Sequence, residues 1–204
     1  MRNKNSTFFA NKSLSVRHQE TVFDGFFKMR RYRFVHQLYQ GGWSNEVERE
    51  VFERGDAVVV LPYDPVRDEV VLIEQLRFPA LDKVSSPWLV ELVAGMIDTD
   101  EQPEDVAHRE LHEETGLLAQ RLQFICKFLP SPGGCSELLH LYFASVDATS
   151  IQQHAGLAEE NEDIRVFALP RQQVLQQLQQ GEITNGATII GLQWLALNYD
   201  KLKL

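Results

Sequence analysis

Residues 95–117, GMIDTDEQPEDVAHRELHEETGL, constrain the fold of this chain most strongly, because they combine helix boundaries with a large excess of negative charge. Pro103 suits the first turn of a helix, where its missing amide hydrogen is not needed, and Gly116 suits the left-handed residue that ends one. About 13 residues lie between these marks, the length of an average helix. The segment 98–116 has eight acids and one base, a net charge of −7, whereas all 204 residues together carry −9. We therefore predict a helix that needs a cation nearby.

Three of these acids, Glu110, Glu113 and Glu114, are spaced so that they lie on one face of the predicted helix. Like charges at this spacing destabilise an exposed helix by about 0.2–0.5 kcal/mol per pair, and these acids also lie toward the negative end of the helix dipole. A solvated acidic face is the ordinary alternative, but such a face usually interleaves lysines, and the helix has none. Hard divalent ions such as Mg²⁺ or Mn²⁺ prefer oxygen ligands, so we predict a metal site here.

The composition of the chain argues against several other classes of protein. It is 44% hydrophobic and 24% charged, as in ordinary globular domains. There is no apolar run of the length that a membrane span needs and no apolar core of a secretory signal, so we expect a cytoplasmic protein without a membrane partner. The negative net charge argues against a nucleic-acid partner. Two cysteines, Cys126 and Cys135, are too few for a disulfide framework or a four-ligand zinc site.

The rest of the chain alternates between strand-like and helix-like segments. Residues 1–20 show no clear period. Strands are predicted in the aromatic segment that follows, with a turn at Gly41–Gly42, and on both sides of a turn at residues 64–68. Further single strands are predicted at WLVELVAG, RLQFICKFL, LLHLYFASV and DIRVFALP. Two helices finish the chain, the first ending at Gly181 and the second capped by Asn185. This mixture predicts an α/β (α+β) fold around a mixed sheet.

The spacing of residues in and around the acidic helix is more specific than its charge. Gly95 is followed after five residues by Glu101, and after seven more by Arg109-Glu110-Leu111-x-Glu113-Glu114-x-Gly116-Leu117. This resembles the Nudix box, G-x5-E-x7-R-E-U-x-E-E-x-G-U with U aliphatic, at every specified position. A chance match has a probability on the order of one in a billion per starting position.

The resemblance implies a Nudix hydrolase, with an α/β/α sandwich around a mixed sheet and an N-terminal antiparallel strand-rich region. It implies an N-terminal region at residues 1–55, used for dimerisation and substrate binding, and a catalytic domain at residues 56–204. The expected reaction is hydrolysis of a nucleoside diphosphate linked to another moiety. Two or three Mg²⁺ or Mn²⁺ ions would neutralise the pyrophosphate and lower the pKa of a bound water.

The same resemblance assigns roles to the residues of the motif. Glu110 and Glu114 are the expected principal metal ligands, assisted by Glu113 and the carbonyl of Ala94, and Glu114 also counts as catalytic. Arg109 is expected to brace the carboxylates through a salt bridge to Glu101 rather than to touch substrate. The structural positions of the motif are Gly95, Glu101, Arg109 and Gly116.

Two downstream loops resemble the ADP-ribose pyrophosphatase subgroup, in its bacterial form. In SPGGCSE, residues 131–137, Pro132 lies 15 residues after the end of the motif at Leu117. A tight turn between strands would explain the same composition. In GLAEENEDIRV, residues 156–166, the resemblance makes Glu160 the candidate general base and Glu162 the candidate metal ligand, with both kept as possible bases. A flexible acidic loop is the alternative interpretation.

By the same resemblance, an N-terminal strand region exchanges between two subunits of a homodimer and contributes to the substrate site. Two phenylalanines would meet the adenine, and arginines would hold phosphates and riboses. Core packing and surface charge are the alternative interpretations for these residues. The expected substrate-binding residues are Phe26, Phe27, Arg49, Glu50, Arg54, Arg77, Met96, Ser131, Pro132, Gly133 and Glu137.

The predicted function is Mg²⁺-dependent hydrolysis of ADP-ribose to AMP and ribose 5-phosphate. Hydrolysis of another nucleotide sugar, such as GDP-mannose, is one alternative, because a change of pocket residues would suffice. A non-catalytic, nucleotide-sensing Nudix module is another. Such modules typically lose carboxylates of the motif, whereas every one is present here.

Overall fold

The computed structural model describes residues 13–98, 100–156 and 161–202. The strands are β1 Leu14–Asp24, β2 Lys28–His36, β3 Val47–Glu53, β4 Ala57–Asp64, β5 Glu69–Leu76, β6 Trp88–Glu91, β7 Val93–Met96, β8 Arg121–Phe128, β9 Leu139–Ser145, β10 His154–Ala155 and β11 Ile164–Pro170. The helices are α1 Pro103–Thr115, α2 Arg171–Gln180 and α3 Gly186–Asn198.

The larger sheet contains eight strands. Six follow the order β10-β11-β5-β4-β9-β8, while β6 pairs with β5 and β7 pairs with β4. The central pair β4 and β9 is parallel, and the other pairs of this sheet are antiparallel. The sheet is therefore mixed, and the predicted fold class is confirmed.

Helices cover both faces of this sheet, and the central strand shows why. Every residue of β4 is buried, as expected for a strand with both faces covered. Val58 and Val60 pack with apolar residues of α1, whereas Val59 and Leu61 pack with apolar residues of α2 and α3. Because alternate residues of a strand point to opposite faces, α1 lies on one face and the two C-terminal helices lie on the other.

The predicted helix boundaries are confirmed. Helix α1 begins at Pro103, and Gly116 ends it with a φ of 73° while its amide donates to the carbonyl of His112. Gly181 ends α2 in the same left-handed conformation, with a φ of 75°. The side chain of Asn185 caps α3 by accepting from the amide of Thr188. None of the helices in the described ranges is long and apolar enough to span a membrane.

Strands β1, β2 and β3 form a separate antiparallel sheet. The described residues before Gly55 cluster with Ser131–Ser136 into one compact unit, and the other described residues form a second. The amide of Phe52 donates to the carbonyl of Gly134 at 2.8 Å, and the amide of Ser136 donates back to the carbonyl of Phe52 at 3.1 Å. The loop Ser131–Ser136 therefore pairs with the end of β3.

Two strands differ from the prediction. Strand β1 begins within the segment where no period was visible, because almost all of its residues are exposed and neither face has an apolar pattern. The segment WLVELVAG forms two strands rather than one. Its chain shifts at Leu92, so that β6 pairs with β5 while β7 pairs with β4.

Candidate active site

Glu114 is the most deeply buried carboxylate of the acidic helix. Its side chain points from α1 to β7, where one oxygen accepts the amide of Ala94 at 3.1 Å, and the residue is 5% exposed. Burial raises the pKa of Glu114 well above its usual value, and the charges of Glu110 and Glu162 raise it further. The Ala94 amide and the charge of Arg77 oppose this rise without cancelling it. Glu114 is thus a carboxylate whose negative charge the protein does not fully offset.

Glu110 lies one turn earlier on α1, against Gly95. A Cβ atom added to Gly95 would overlap the carboxyl group of Glu110, so a glycine is required for helix and strand to approach this closely. Burial raises the pKa of Glu110, and the charges of Glu113 and Glu162 add to this effect, while Arg109 opposes it. The charge of Glu162 therefore acts on both Glu110 and Glu114.

Arg109 connects three acids of the motif. Its Nε and Nη2 donate to the two carboxylate oxygens of Glu101 at 3.0 and 2.9 Å, which is the bridge expected from the sequence. Its Nη1 also donates to Glu110 at 2.6 Å and to Glu113 at 3.1 Å. Glu113 is exposed and pairs with this arginine. Arg109 therefore holds the loop before α1 against the helix and orients Glu110.

The donor set at this position fits a divalent cation. Within residues 13–98, 100–156 and 161–202, no three His, Cys, Asp or Glu side chains are arranged to hold an ion by themselves. Mg²⁺ does not require such a cage, because it retains waters and commonly takes one or two carboxylates together with substrate phosphate oxygens. Glu110 and Glu114, whose raised pKa values reflect buried and mutually repelling charge, supply such a partial set. Of the two candidate bases, Glu162 is among the described residues, whereas Glu160 lies outside them.

Arg77 lies at the end of β5 and is held by a buried acid. Its Nε and Nη2 donate to one oxygen of Glu91 at 3.0 and 2.8 Å. Burial lowers the pKa of Arg77, but Glu91 and the charges of Glu114 and Glu162 outweigh this effect and raise it. Glu91 was not among the site residues predicted from the sequence. The available signal was an acid inside the apolar segment WLVELVAG, four residues before Gly95.

The N-terminal unit contains the aromatic and several of the charged candidates. Phe26 is 88% exposed, so core packing does not explain it. It packs edge-on against Phe27, with ring centroids 4.7 Å apart. Phe27 also packs against Phe52 and under the guanidinium of Arg54, which lies 5.4 Å from the ring centroid.

The charged candidates of β3 are exposed. Arg49 donates to the carbonyl of Glu48 at 2.7 Å, and Glu50 accepts from Arg31 at 2.9 Å. Arg49 and Glu50 are neighbours along this edge strand, with successive side chains on opposite faces. They are therefore accessible side chains held by local contacts.

The loop Ser131–Ser136, which carries three of the predicted substrate-binding residues, is a tight turn. Glu137, the next residue, belongs to the second unit. Ser131, Pro132 and Gly133 are exposed, and the carbonyl of Ser131 accepts the amide of Cys135 at 2.9 Å. Glu137, which follows the loop, is buried in the second unit. Met96, at the end of β7, is partly exposed beside the motif.

The comparison with known protein families agrees with this geometry. The NUDIX domain family matches residues 53–188, two thirds of the chain. The chain belongs to the NUDIX family. The family predicted from the motif is thereby confirmed, and α1 with the preceding loop is the NUDIX motif of this member.

Individual relatives extend the match over nearly the whole NUDIX chain. The ADP-ribose pyrophosphatase of Escherichia coli strain K12 is 50% identical over 195 residues, covering 96% of this chain and 93% of that protein. The ADP-ribose pyrophosphatase of Haemophilus influenzae is 43% identical over 198 residues, covering 96% and 91%. A GDP-mannose pyrophosphatase of Escherichia coli is 36% identical over 153 residues, covering 74% and 79%.

A solved structure shares the fold of this chain. The crystal structure of an ADP compounds hydrolase superposes with a TM-score of 0.69 at 20% sequence identity, covering 94% of this chain and 97% of that one. At this level of identity the likeness concerns the fold alone.

Proposed function

We propose that this NUDIX chain hydrolyses the pyrophosphate bond of ADP-ribose in the presence of Mg²⁺, giving AMP and ribose 5-phosphate. The observation that carries the proposal is the buried, repelling pair Glu110 and Glu114 beside Ala94, in a chain that is 50% identical to ADP-ribose pyrophosphatases over nearly its full length. Every carboxylate of the NUDIX motif is present, which disfavours the non-catalytic module.

The residues that would hold the metal are Glu110, Glu114, the carbonyl of Ala94, Glu162 and, from the exposed side, Glu113. Two or three bound ions, Mg²⁺ or Mn²⁺, would neutralise the pyrophosphate and lower the pKa of the attacking water. Arg109 contributes by fixing the orientation of Glu110, since it donates to Glu110 and Glu101 at once. The repulsion between the carboxylates makes cation binding favourable.

The proton of the attacking water would pass to a carboxylate of the loop 156–166. As the family resemblance implies, we assign Glu160 as the base and Glu162 as a metal ligand, and the charge of Glu162 on Glu110 and Glu114 supports this choice. Parallel assays of Glu160→Gln and Glu162→Gln test this. Loss of a base lowers kcat without changing the Mg²⁺ concentration at half-maximal rate, whereas loss of a ligand raises that concentration. The reverse pattern would exchange the two roles.

The substrate-binding residues predicted from the sequence remain the candidates. Arg77, the exposed Arg49 and the half-buried Arg54 would donate to phosphates and riboses, and the exposed Phe26 with Phe27 would contact the adenine. The remaining proposed contacts are Glu50, Met96, Ser131, Pro132, Gly133 and Glu137.

A homodimer with exchanged N-terminal regions is part of the proposal. Supporting it, β1 and the turn after it expose large apolar side chains, among them Leu14, Val16 and Phe23. Sedimentation of the purified protein should give twice the chain mass. If the regions exchange, mixing Arg49→Ala and Glu114→Gln variants after partial unfolding should restore activity, because one site of each mixed dimer is intact. No recovery in a verified mixed dimer would contradict the exchange.

Release of AMP from ADP-ribose by the purified protein tests the substrate assignment. We expect ADP-ribose to have the highest kcat/KM in a panel that includes GDP-mannose, which the more distant relative motivates. A higher value for GDP-mannose would favour the alternative, and absence of AMP with both Mg²⁺ and Mn²⁺ would refute the main proposal. The two free cysteines, Cys126 and Cys135, fit the cytoplasm as the proposed location.

A further inference from the structure

A buried hydrogen-bond network around Glu91 connects Arg77 with the beginning of α3. The side chain of Glu91 is 3% exposed, and each of its oxygens has a different partner. Oε2 accepts from Nε and Nη2 of Arg77, and Oε1 accepts from the side-chain amide of Asn185 at 2.9 Å. One carboxylate therefore connects the arginine that follows β5 to a residue more than a hundred positions later.

The network continues through Asn185 back to Leu92, the residue that follows Glu91 and the end of β6. The side-chain oxygen of Asn185 accepts the amide and the hydroxyl of Thr188 at 3.0 and 3.1 Å. The hydroxyl oxygen of Thr188 in turn accepts the amide of Leu92 at 3.0 Å. Because its oxygen caps the helix, the amide nitrogen of Asn185 must face Glu91. Both ends of the carboxylate are thus fixed by the fold.

This arrangement restricts how Arg77 presents its charge. Glu91 takes the edge of the guanidinium formed by Nε and Nη2, so the end formed by Nη1 and Nη2 is the part left to bind an anion. The side chain of Arg77 is 41% exposed, whereas its partner is almost completely buried. The charges of Glu114 and Glu162 add to that of Glu91 in raising the pKa of Arg77, so the guanidinium lies within electrostatic range of these two acids.

We propose that Glu91, held by Asn185, is a positioning residue that orients Arg77 so that its free end meets a phosphate oxygen of the pyrophosphate. This inference rests on the proposed hydrolysis of a nucleoside diphosphate. If Glu91 were purely structural, it would stabilise the junction of β6 and α3 without affecting how phosphate is bound.

The substitution Glu91→Gln separates the two roles. Glutamine preserves the size of the side chain but removes its charge. Its NH₂ group would replace one carboxylate oxygen and would face an N–H donor of Arg77 or Asn185. We expect the KM for ADP-ribose to rise about tenfold, as for the loss of one charged hydrogen bond, with kcat changing by less than about threefold. A matched control is Glu74→Gln, which removes a glutamate that accepts from Arg165 at 3.0 Å, and its KM should not change.

Two further variants keep the proposal falsifiable. Asn185→Ser retains an oxygen that can cap α3 but lacks the donor to Glu91, so it should raise KM in the same direction with a smaller effect. In an Arg77→Lys background, Glu91→Gln should cause little further increase in KM, since the group that it orients has been replaced. Additive effects of the two substitutions on KM would overturn the proposal.

Binding of inorganic pyrophosphate in the presence of Mg²⁺, measured by calorimetry, provides a readout that requires no turnover of ADP-ribose. The Glu91→Gln variant should bind it about tenfold more weakly than the wild type, while Glu74→Gln should bind it normally. Equal affinities of the wild type and Glu91→Gln would overturn the proposal. If the wild type binds pyrophosphate but releases no AMP from ADP-ribose, the proposed substrate is wrong while this comparison still tests the orientation of Arg77.

Discussion

The N-terminal sheet and helix α1 both carry several glutamates, but they balance the negative charge differently. In the sheet, Arg31 donates to Glu20 and Glu50, and Arg33 donates to Glu48 at 2.8 Å. Neighbouring antiparallel strands place these side chains opposite one another. The hydrogen bond from Arg33 accordingly lowers the pKa of Glu48.

By contrast, Arg109 of α1 donates to three acids, whereas among the described residues Glu114 accepts a backbone amide and is opposed in charge by Arg77. Burial therefore raises the pKa of Glu114, whereas pairing lowers that of the sheet's Glu48. The number of acidic residues alone therefore does not identify the site. An acid whose charge is left uncompensated by its own fold is the group that a cation can stabilise.

The largest effect is expected for Glu114→Gln. Removal of this proposed ligand should lower kcat/KM by at least about a thousandfold, since a catalytic metal contributes several kcal/mol to transition-state stabilisation. The exposed neighbour Glu113 provides the matched control, and Glu113→Gln should retain much more activity. Steady-state rates with ADP-ribose and Mg²⁺ measure both. Wild-type activity in Glu114→Gln would refute the metal assignment.

The stability of the Glu114→Gln variant should depend less on Mg²⁺ than that of the wild type. Mg²⁺ at about a hundred times its Kd should stabilise the wild type by about 2.7 kcal/mol, because it binds the folded state alone. Glu114→Gln should gain much less. Thermal unfolding with Mg²⁺ and with EDTA gives the comparison, and an equal Mg²⁺-induced rise in Tm would contradict it.

Arg109→Gln tests whether the single arginine of α1 orients the site. It removes the donors to Glu101, Glu110 and Glu113, so we expect activity to fall about 10- to 100-fold and half-saturation to require more Mg²⁺. Arg121→Gln, which alters an exposed arginine of β8, is the control. Unchanged dependence of the rate on Mg²⁺ would show that Arg109 does not act through the metal ligands.

The uncompensated charge of Glu114 predicts a pH dependence of stability in EDTA. In the unfolded chain a glutamate titrates near pH about 4.3, whereas the raised pKa of Glu114 lets the folded state retain the proton to higher pH. The wild type therefore loses this stabilising contribution as the pH rises through the folded-state pKa. The free energy of unfolding of Glu114→Gln minus that of the wild type should increase over this range. Urea titrations at several pH values would contradict the prediction if this difference were constant or fell.

The smallest effect is expected in the sheet. Glu48 is exposed and belongs to a surface ion-pair ladder, so Glu48→Gln should leave both activity and Tm within experimental error of the wild type. A loss of activity would show that this part of the N-terminal unit affects the site through its charges. Gel filtration of the same variant would show whether the loss accompanies a change in assembly.

Prediction from the sequence succeeded where the relevant interactions are local. Pro103 and Gly116 bound α1, and Glu110 and Glu114 lie one turn apart, because caps and helical spacing depend on neighbouring residues. Prediction failed at the start of β1, where neither face is buried and no apolar period exists. It also missed the break at Leu92, since a short apolar run contains no indication of which neighbour each half will pair with.

The sequence by itself determined the helix of the motif, its family and the presence of an excess of negative charge. Only the tertiary structure decided which of these charges is compensated. Glu91 contacts Arg77 and Asn185 because β5 pairs with β6 and α3 packs beside them, and the charge of Glu162, far along the chain, acts on Glu110 and Glu114. Such contacts join residues tens of positions apart, and they depend on strand pairing and burial rather than on local spacing.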